Sequence, residues 1–253
     1  MGLDKLISNP DALALVRDLG SKPFGMILVT GPTGSGKSTT LYSLLAERND
    51  PGINISTVED PIEYTLPGIT QCQVNRDKGF DFATALRAFM RQDPDVILVG
   101  EMRDLETIQL AVSAAETGHL VFGTLHTSSA AQTVDRMVDV FPPEQQTQIR
   151  VQLSGSLVAV FSQTLCRRQN PAEGQFGRVM AQEILINTPA TANLIREGKT
   201  AQLYSQIQTG GEQGMQTLEK ALANLVLNGD VSRAEAMGKA SKPGELQRLI
   251  GEI

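Results

Sequence analysis

A glycine-rich segment of eight residues has the composition of a phosphate-binding loop. Residues 31–38 read GPTGSGKS and match the pattern G-x-x-x-x-G-K-[ST]. In such a loop, glycines allow backbone N–H groups to curl around phosphate oxygens, the lysine reaches the β- and γ-phosphates, and the hydroxyl binds Mg²⁺. An apolar run precedes the segment and a helical pattern follows it, which argues against the alternative of a glycine-rich turn with an exposed lysine. The residues that we expect to contact a nucleotide are Gly31, Pro32, Thr33, Gly34, Ser35, Gly36, Lys37, Ser38 and Thr39.

Carboxylates follow two other strand-like segments. Glu59, Asp60 and Glu63 lie in the stretch VEDPIE, and Glu101 follows Gly100 after the run VILV. In an open α/β sheet, ligands bind outside the carboxyl ends of the strands. Phosphoryl transfer uses one carboxylate that orients the attacking water and another that holds Mg²⁺, so these residues are candidates for both roles. The alternative for the first three is that they are solvated loop charges.

Histidines and arginines flank the same predicted strands. His119 and His126 bracket the run LVFGTL. We expect His126, at the ligand end, to sense or relay at the γ-phosphate and His119 to orient its neighbours, because two histidines without a third ligand make a poor metal site. Arg87, Arg91 and Arg103 flank the strand VILV. Phosphoryl transfer gains from an arginine supplied by another subunit, and surface salt bridging is the alternative role of these arginines.

The segments that must position these residues alternate between strand-like and helix-like patterns. Apolar or β-branched runs predict strands at 26–30, 53–58, 69–74, 96–99, 120–125 and 179–186. Capping residues and periodicity predict helices at 10–19, 37–47 and 82–91, and a further helix that starts at Pro189 and stops at Gly198. Strands that alternate with helices imply an α/β fold with a mostly parallel sheet and helices on both faces.

The pattern changes after Pro142-Pro143. Apolar residues then recur every four positions, which predicts one face of a long helix. The residues in this series are Ile149, Leu153, Leu157, Phe161 and Leu165. We expect an α/β core over residues 1–187 and a small helical C-terminal region over residues 188–253, as an appendage and not an independent domain.

Composition narrows the function classes. The chain has 253 residues, a net charge of −6, 4% aromatic residues and no Trp, which argues against nucleic-acid binding through basic patches and stacking platforms. Cys72 and Cys166 are far apart and form no CxxC motif, so a zinc ribbon is excluded and a reducing cytoplasm fits. No apolar stretch approaches the roughly 20 residues that span a bilayer, and the N-terminus lacks the apolar run of a signal peptide. We therefore expect a cytoplasmic protein without membrane insertion.

Four ordered segments resemble those of the type II/IV secretion ATPase superfamily, in particular the retraction ATPases of type IV pili. They are GPTGSGKST (31–39), VEDPIEY (58–64), LRAFMRQDPDVILVGEMRDLET (86–107) and TGHLVFGTLHT (117–127), which are similar to the Walker A, Asp box, Walker B and His box of that family. The resemblance continues through 128–165 and 207–222. It therefore covers nearly the whole chain.

The resemblance implies a RecA-like ATPase domain that uses ATP with Mg²⁺ and works in a homohexameric ring. It implies that Glu63 activates water, that Glu101 is the Walker B glutamate, holding Mg²⁺ with Ser38 directly or through water, and that His119 and His126 are the His-box pair. The implied function is an ATP-hydrolysing motor for pilus retraction and twitching motility. The implied partner is an inner-membrane platform protein, with the motor peripheral at the inner face of that membrane.

A C-terminal segment separates retraction from assembly motors. Retraction-type relatives carry an AIRNLIRE motif, and residues 190–197 match it at six of eight positions, departing at Thr191 and Ala192. Assembly-type relatives carry a four-cysteine metal motif, which this chain lacks. We expect the motif to serve motor output or a partner contact, and an ordinary amphipathic surface helix is the alternative. The residues concerned are Asn193, Leu194, Ile195, Arg196 and Glu197.

Other functions stay open at this point. Family members carry an upstream PAS-like domain that helps to form the subunit contact, and only a short stretch precedes the first predicted strand here. We therefore interpret the chain as part of a longer protein. The alternatives to a retraction motor are a nucleotide-binding interaction module or isolated ATPase domain with little activity alone, a pilus assembly or secretion ATPase of the same superfamily, and, more distantly, a nucleic-acid translocase.

Overall fold

A single sheet of seven strands lies at the centre of the described chain. The computed structural model describes residues 2–171 and 175–251. The strands are β1 (Gly25–Thr30), β2 (Ile55–Glu59), β3 (Thr70–Gln73), β4 (Val96–Val99), β5 (Leu120–Leu125), β6 (Leu157–Arg167) and β7 (Arg178–Ile186). Their order across the sheet is β3-β2-β4-β5-β1-β6-β7, and neighbours are parallel except β6 and β7. The predicted mostly parallel α/β fold is confirmed.

Helices cover both faces of this sheet. They are α1 (Pro10–Gly20), α2 (Lys37–Arg48), α3 (Phe82–Phe89), α4 (Leu105–Glu116), α5 (Ala130–Asp139), α6 (Pro143–Ser156), α7 (Pro189–Arg196), α8 (Leu203–Thr209), α9 (Leu218–Leu227), α10 (Arg233–Lys239) and α11 (Pro243–Ile250). Short polar side chains cap several N-termini, as for Asn9, which accepts the backbone N–H groups of Asp11 and Ala12. These caps fix where the loops end and the helices begin.

Alternate residues of β1 face different helices. Met26 and Leu28 pack into a buried cluster with α3 to α8, and Ile27 and Val29 pack into a second cluster with α1 and α2. All four side chains are buried, as expected for a central parallel strand. A third cluster fills the space between the β6–β7 pair and α9 to α11.

The carboxyl ends of the central strands lie side by side. Thr30 pairs with Leu125 and Val99 with Gly123, so the segments that follow β1, β4 and β5 emerge at one edge of the sheet. This edge is the position at which open α/β sheets bind ligands.

The predicted long helix after Pro143 is wrong in its second half. Helix α6 ends at Ser156, Leu157 has an extended backbone (φ −64°, ψ 131°), and β6 begins there. A spacing of four residues is close to one helical turn, but it is also twice the two-residue period of a strand. Phe161 and Leu165 therefore fit either pattern, and in the sheet Phe161 is fully buried while Leu165 is partly buried.

The segment after β7 is helical, as predicted, and packs on the sheet. Gln216 forms an antiparallel bridge with Ile184 of β7, and α9 lies against the same strand. The division into residues 1–187 and 188–253 stays a prediction. In the described residues, no helix has the length and apolarity that crossing a membrane requires.

Candidate active site

The glycine-rich loop joins β1 to α2 and has a backbone conformation that favours glycine. Gly31, Gly34 and Gly36 have φ values of 142°, 78° and 88°, in the region that L side chains rarely adopt. A Cβ at Gly31 would also overlap the backbone oxygen of Gln163 on the neighbouring strand. The loop thus ends at the open N-terminus of a 12-residue helix, where backbone N–H groups and the helix dipole favour an anion.

Two side chains of this loop suit a phosphate ligand. Lys37 Nζ donates to the backbone oxygens of Gly31 (2.8 Å) and Pro32 (3.1 Å), so the ammonium lies inside the loop. Burial lowers the pKa of Lys37, and the nearby Glu101 carboxylate opposes this shift. Within the described residues, the hydroxyl of Ser35 is buried without a hydrogen-bond partner. A buried polar atom of this kind has bonding capacity for a ligand.

Glu101 forms a charged cluster opposite the loop. One of its oxygens lies 3.0 Å from His126 Nε2 and also accepts from Arg103 Nε. The Glu101 side chain is 18% exposed, whereas those of Arg103 and His126 are 68% and 43% exposed. The adjacent strands β4 and β5 bring the three residues together, as their positions at strand ends predict.

The backbone around Glu101 is held by the next strand. Thr124 donates from its hydroxyl to the oxygen of Gly100 (2.5 Å), and Met102 N–H donates to the oxygen of Thr124 (3.0 Å). A Cβ at Gly100 would lie 3.0 Å from the oxygen of Val58 in β2. A side chain at position 100 would therefore require the backbone of β2 to move by a few tenths of an ångström.

A cleft of about 590 Å³ separates the loop from the Glu101 cluster. The residues that line it are Pro32, Thr33, Glu101, Met102, Arg103, Leu125, His126, Thr127 and Arg136. Arg136, on α5, is not recognisable as a site residue from the sequence, because an arginine in an amphipathic helix belongs to no motif. The only hint in the sequence is that this helix directly follows the His126 segment.

The carboxylates after β2 have different surroundings. Glu59 is buried and accepts from Tyr42 Oη, Thr57 Oγ1 (2.6 Å) and Gln71 Nε2 (3.2 Å). Burial and this bond to Glu59 raise the pKa of Tyr42. Glu59 therefore serves the structure and is not a solvated loop charge.

Asp60 and Glu63 lie at the surface. Asp60 pairs with Arg76 at 3.2 Å, and Glu63 is exposed on the loop after β2. Within the described residues, Glu63 does not line the cleft that contains Glu101. Strand β2 is the neighbour of β4, so Glu63 follows a strand at the same edge of the sheet.

The other candidate residues lie away from the cleft. Arg87 pairs with Glu106 on the surface, and Arg91 is exposed just after α3. His119 lies at the amino end of β5, opposite His126, and its Nδ1–H donates to the oxygen of Ala114 (2.9 Å). This bond fits the expectation that His119 orients its neighbours.

The C-terminal motif forms α7, which packs through an apolar side. Ile195 is fully buried and Leu194 partly buried, whereas Asn193, Arg196 and Glu197 are exposed. The departure at Thr191 has a structural role: its Oγ1 accepts from the N–H of Thr188 (2.7 Å), and its own N–H donates to the Thr188 hydroxyl (3.3 Å). This reciprocal cap starts the helix.

The loop, the parallel sheet and the facing carboxylate define a protein of the P-loop nucleotide-binding class. A family model described as type II/IV secretion system protein matches residues 1–238. The chain belongs to this family.

Its relatives include pilus proteins. It is 56% identical over 226 residues to the type IV pilus retraction ATPase PilT of Pseudomonas aeruginosa, covering 87% of this chain and 64% of that protein. It is 50% identical over 234 residues to a twitching motility protein of Neisseria gonorrhoeae, covering 90% and 61%. The chain thus spans a little under two thirds of the length of these relatives.

A solved structure extends the comparison to the fold. The crystal structure of the pilus retraction motor PilT with bound ADP matches with a TM-score of 0.86 and 45% identity, covering 98% of this chain and 69% of that one. The α/β fold is therefore RecA-like, as the motif resemblance implied.

Proposed function

We propose that the chain binds ATP with Mg²⁺ and hydrolyses it as the ATPase part of a type IV pilus retraction motor. The observation that carries the chemistry is the glycine loop with Lys37, which faces Glu101 and His126 across one cleft. The identity to a protein named as a retraction ATPase supports the particular motor over an assembly or secretion ATPase.

The residues present fit a nucleotide. The loop has three glycines at positive φ, a lysine turned into it and the unpartnered Ser35 hydroxyl. We propose that the backbone N–H groups of residues 31–39 and Lys37 hold the phosphates. Lys37 would exchange its bonds to the backbone oxygens for bonds to phosphate.

The residues present also fit Mg²⁺. In residues 2–171 and 175–251, no three His, Cys, Asp or Glu side chains form a metal site by themselves. Mg²⁺ is usually held by one or two protein ligands together with substrate phosphates, which matches Ser38 and Glu101 as its proposed ligands. When bound, the ion would neutralise charge on the phosphates.

The carboxylates and basic groups would have different roles in hydrolysis. We propose that Glu63 activates the attacking water and that Glu101 holds the His126 side chain in position. His126 then senses the γ-phosphate. Arg103 neutralises Glu101 and is largely exposed, so it is available to compensate charge on the transferred group. The resemblance of the four motifs supports a homohexamer, an inner-membrane platform protein as partner, and a place at the inner face of that membrane.

An ATPase assay with and without DNA tests the proposal. We expect the chain to hydrolyse ATP, and we expect DNA to leave the rate of hydrolysis unchanged. ATP binding without turnover at any protein concentration would instead identify a nucleotide-binding module, and stimulation by DNA would identify a translocase. Absence of ATP binding would overturn the proposal.

A further inference from the structure

Three glutamine side chains connect the phosphate loop with the C-terminal helices. Gln163 lies on β6 and Gln182 faces it on β7, at paired positions of the antiparallel register. Gln216 lies between the 3₁₀ turn Gly210–Gln213 and α9. Gln163 and Gln182 are 2% and 3% exposed, which is rare for glutamine.

Gln163 is bonded to both sides of the loop. Its Nε2 donates to the backbone oxygen of Ser35 (3.0 Å), and its Oε1 accepts from Thr40 Oγ1 (3.1 Å). Ser35 belongs to the loop and Thr40 to the first turn of α2, so these bonds bracket Lys37 and Ser38 in the sequence. The cleft that faces the loop is not lined by Gln163. Gln163 can therefore set where the two phosphate-binding side chains lie without contacting phosphate.

The second glutamine extends the contact to β7. Gln182 Nε2 donates to Gln163 Oε1 at 3.3 Å, so this oxygen accepts from both Thr40 and Gln182. A buried amide that loses such partners is left unsatisfied, at a cost that exceeds the net value of the bond itself. The Gln163 side chain thus connects Ser35 and Thr40 with β7.

The third glutamine links β7 to the segment that precedes α9. Gln216 Nε2 donates to the backbone oxygen of Gln182 (3.0 Å), and its backbone exchanges two hydrogen bonds with Ile184 (2.9 and 3.2 Å). Met215, next to it, is buried in the cluster that also holds Ile207 of α8 and Ile195 of α7. The segment 210–217 therefore connects the three glutamines with α8 and, through α8, with the motif helix α7.

We propose that Gln163 is a positioning residue of the phosphate loop and that the chain Gln163–Gln182–Gln216 couples phosphate binding to segment 210–217. The inference rests on the proposed function, since it requires that the loop binds a nucleotide. When phosphate binds, Lys37 leaves the backbone oxygens of the loop, and the positions of Ser35 and Thr40 change. The hydrogen bonds of the three glutamines then move β7, and segment 210–217 moves α8 and α7 with it.

The positioning role is tested by ADP affinity, measured by calorimetry on three test variants and one control variant of the chain. Gln163→Leu removes all three side-chain bonds, and Gln163→Glu in its ionised form keeps the acceptor but cannot donate to Ser35. Thr40→Val removes one bond from the loop side. We expect each to lower ADP affinity by about tenfold or more. The matched control is Gln152→Leu on α6, whose amide bonds Glu116 instead and which should bind ADP normally.

The coupling is tested by hydrogen exchange of residues 210–217 with and without ADP. In the unaltered chain, ADP should change the exchange rates of this segment. Gln182→Leu leaves the bonds of Gln163 to the loop in place, so it should bind ADP within about threefold of normal while the ADP-dependent change is lost. Gln152→Leu should keep the change.

The possible results separate the two proposals. If the unaltered chain binds no ADP, the proposed function fails. If it binds ADP but Gln163→Glu and Thr40→Val bind equally well, the positioning role is wrong. If ADP leaves segment 210–217 unchanged, or if Gln182→Leu keeps the change, the coupling is wrong. Thermal unfolding is measured first, and should Gln163→Leu not fold, the other variants decide each result.

Discussion

Glu101 shares one carboxylate oxygen between an arginine and a histidine. Within the described residues these bonds involve one oxygen only, and the Arg103 and His126 side chains are 68% and 43% exposed. The three side chains come from the ends of two adjacent strands, so the cluster depends on sheet register more than on loop conformation.

Replacement of Glu101 by Gln should separate binding from hydrolysis. The amide keeps the size of the side chain but loses the charge that orients water or holds Mg²⁺. We expect ATP binding to persist and kcat to fall by ~10²-fold or more, and the same for Glu63→Gln. Steady-state kinetics and calorimetry measure the two quantities. Glu116→Gln is the control, because Glu116 lies at the end of α4, near the amino end of β5 and away from the cleft. Normal turnover of both active-site variants would contradict the assignment.

Replacement of Lys37 by Ala should abolish ATP binding without unfolding the chain. Burial lowers the pKa of this lysine, so its removal relieves an unfavourable burial while taking away the charge aimed at the phosphates. Calorimetry with ATP and a thermal unfolding curve measure both effects, with replacement of the exposed Lys220 of α9 by Ala as the control. Undiminished ATP affinity in Lys37→Ala would exclude the phosphate-loop assignment.

Residue types and spacing predict part of the site and miss another part. The glycine loop is recognisable because its backbone geometry requires particular residues at fixed positions. Glu101 and His126 are recognisable because parallel strands end at one edge. Arg136 and Gln163 are not, since one lies in an ordinary helix and the other is a polar residue within a strand, and only the packed structure brings them to the loop or the cleft.

Strand β7 caps a helix through a carboxylate that is buried. Glu183 accepts the N–H of Ala130, the first residue of α5, at 2.7 Å. Burial, with a smaller contribution from the negative charge of Glu219, raises the pKa of Glu183 to about 7. The hydrogen bond from Ala130 and the positive charge of Lys242 both act to lower this pKa. Helix α5 follows the His126 segment, so the charge of Glu183 bears on an element of the cleft.

Glu183→Gln should remove a pH dependence of stability. Because the pKa of Glu183 is higher in the folded state than its ordinary 4.5, the folded chain binds more protons, and its stability falls as pH rises from that value through about 7. The stability of Glu183→Gln relative to the unaltered chain should therefore increase by about 2 kcal/mol between roughly pH 5.5 and 8. Urea unfolding at several pH values measures this difference. The exposed Glu212→Gln should show no such trend, and a flat difference for Glu183→Gln would contradict the prediction.

Elements with unambiguous local signals are predicted well. The short, continuous apolar runs of β1, β4 and β5 cannot form amphipathic helices, and capping residues mark the starts of α1 and α7. The boundary between α6 and β6 is missed because a four-residue apolar spacing suits both structures. The register shift between β1 and β6 lies at the same place, and no local pattern indicates it.

On the scale of the whole molecule, the C-terminal helices lie on the β7 side of the sheet, and the motif helix α7 presents a polar side to solvent. Arg196 and Glu197 are exposed, and Glu197 bonds Asn193 and Lys199 within the same segment. Neither residue lines the cleft in the described part of the chain. We therefore expect this surface to act in motor output.

The double replacement of Arg196 and Glu197 by Ala should leave folding and ATP binding nearly unchanged. Surface substitutions usually alter stability by less than about 0.5 kcal/mol. In cells that depend on this protein for retraction, the same variant should hydrolyse ATP but fail to retract pili, as scored by twitching motility. Gln208→Ala and Ser205→Ala on neighbouring α8 serve as a comparison. Normal retraction by the double variant would make α7 a surface element only.

Assembly should control the rate of the isolated chain. If the site is completed by a neighbouring subunit, specific ATPase activity should rise with protein concentration, because association precedes catalysis. Turnover measured over a wide concentration range, with sedimentation to follow the oligomer, checks this. A monomer with constant and high specific activity would show that each chain works alone.

The position of β1 has a consequence for synthesis of the chain. Gly25 pairs with Leu120 and Thr30 pairs with Ser162, so the strand that carries the phosphate loop has both of its neighbours far downstream in the sequence. Contacts between distant parts of a chain form late, because loop closure costs entropy before the contact stabilises anything. A nascent chain that ends before β6 leaves this strand without one of its partners and the loop without Gln163. We therefore expect the loop to reach the geometry that holds a nucleotide only after β6 has left the ribosome.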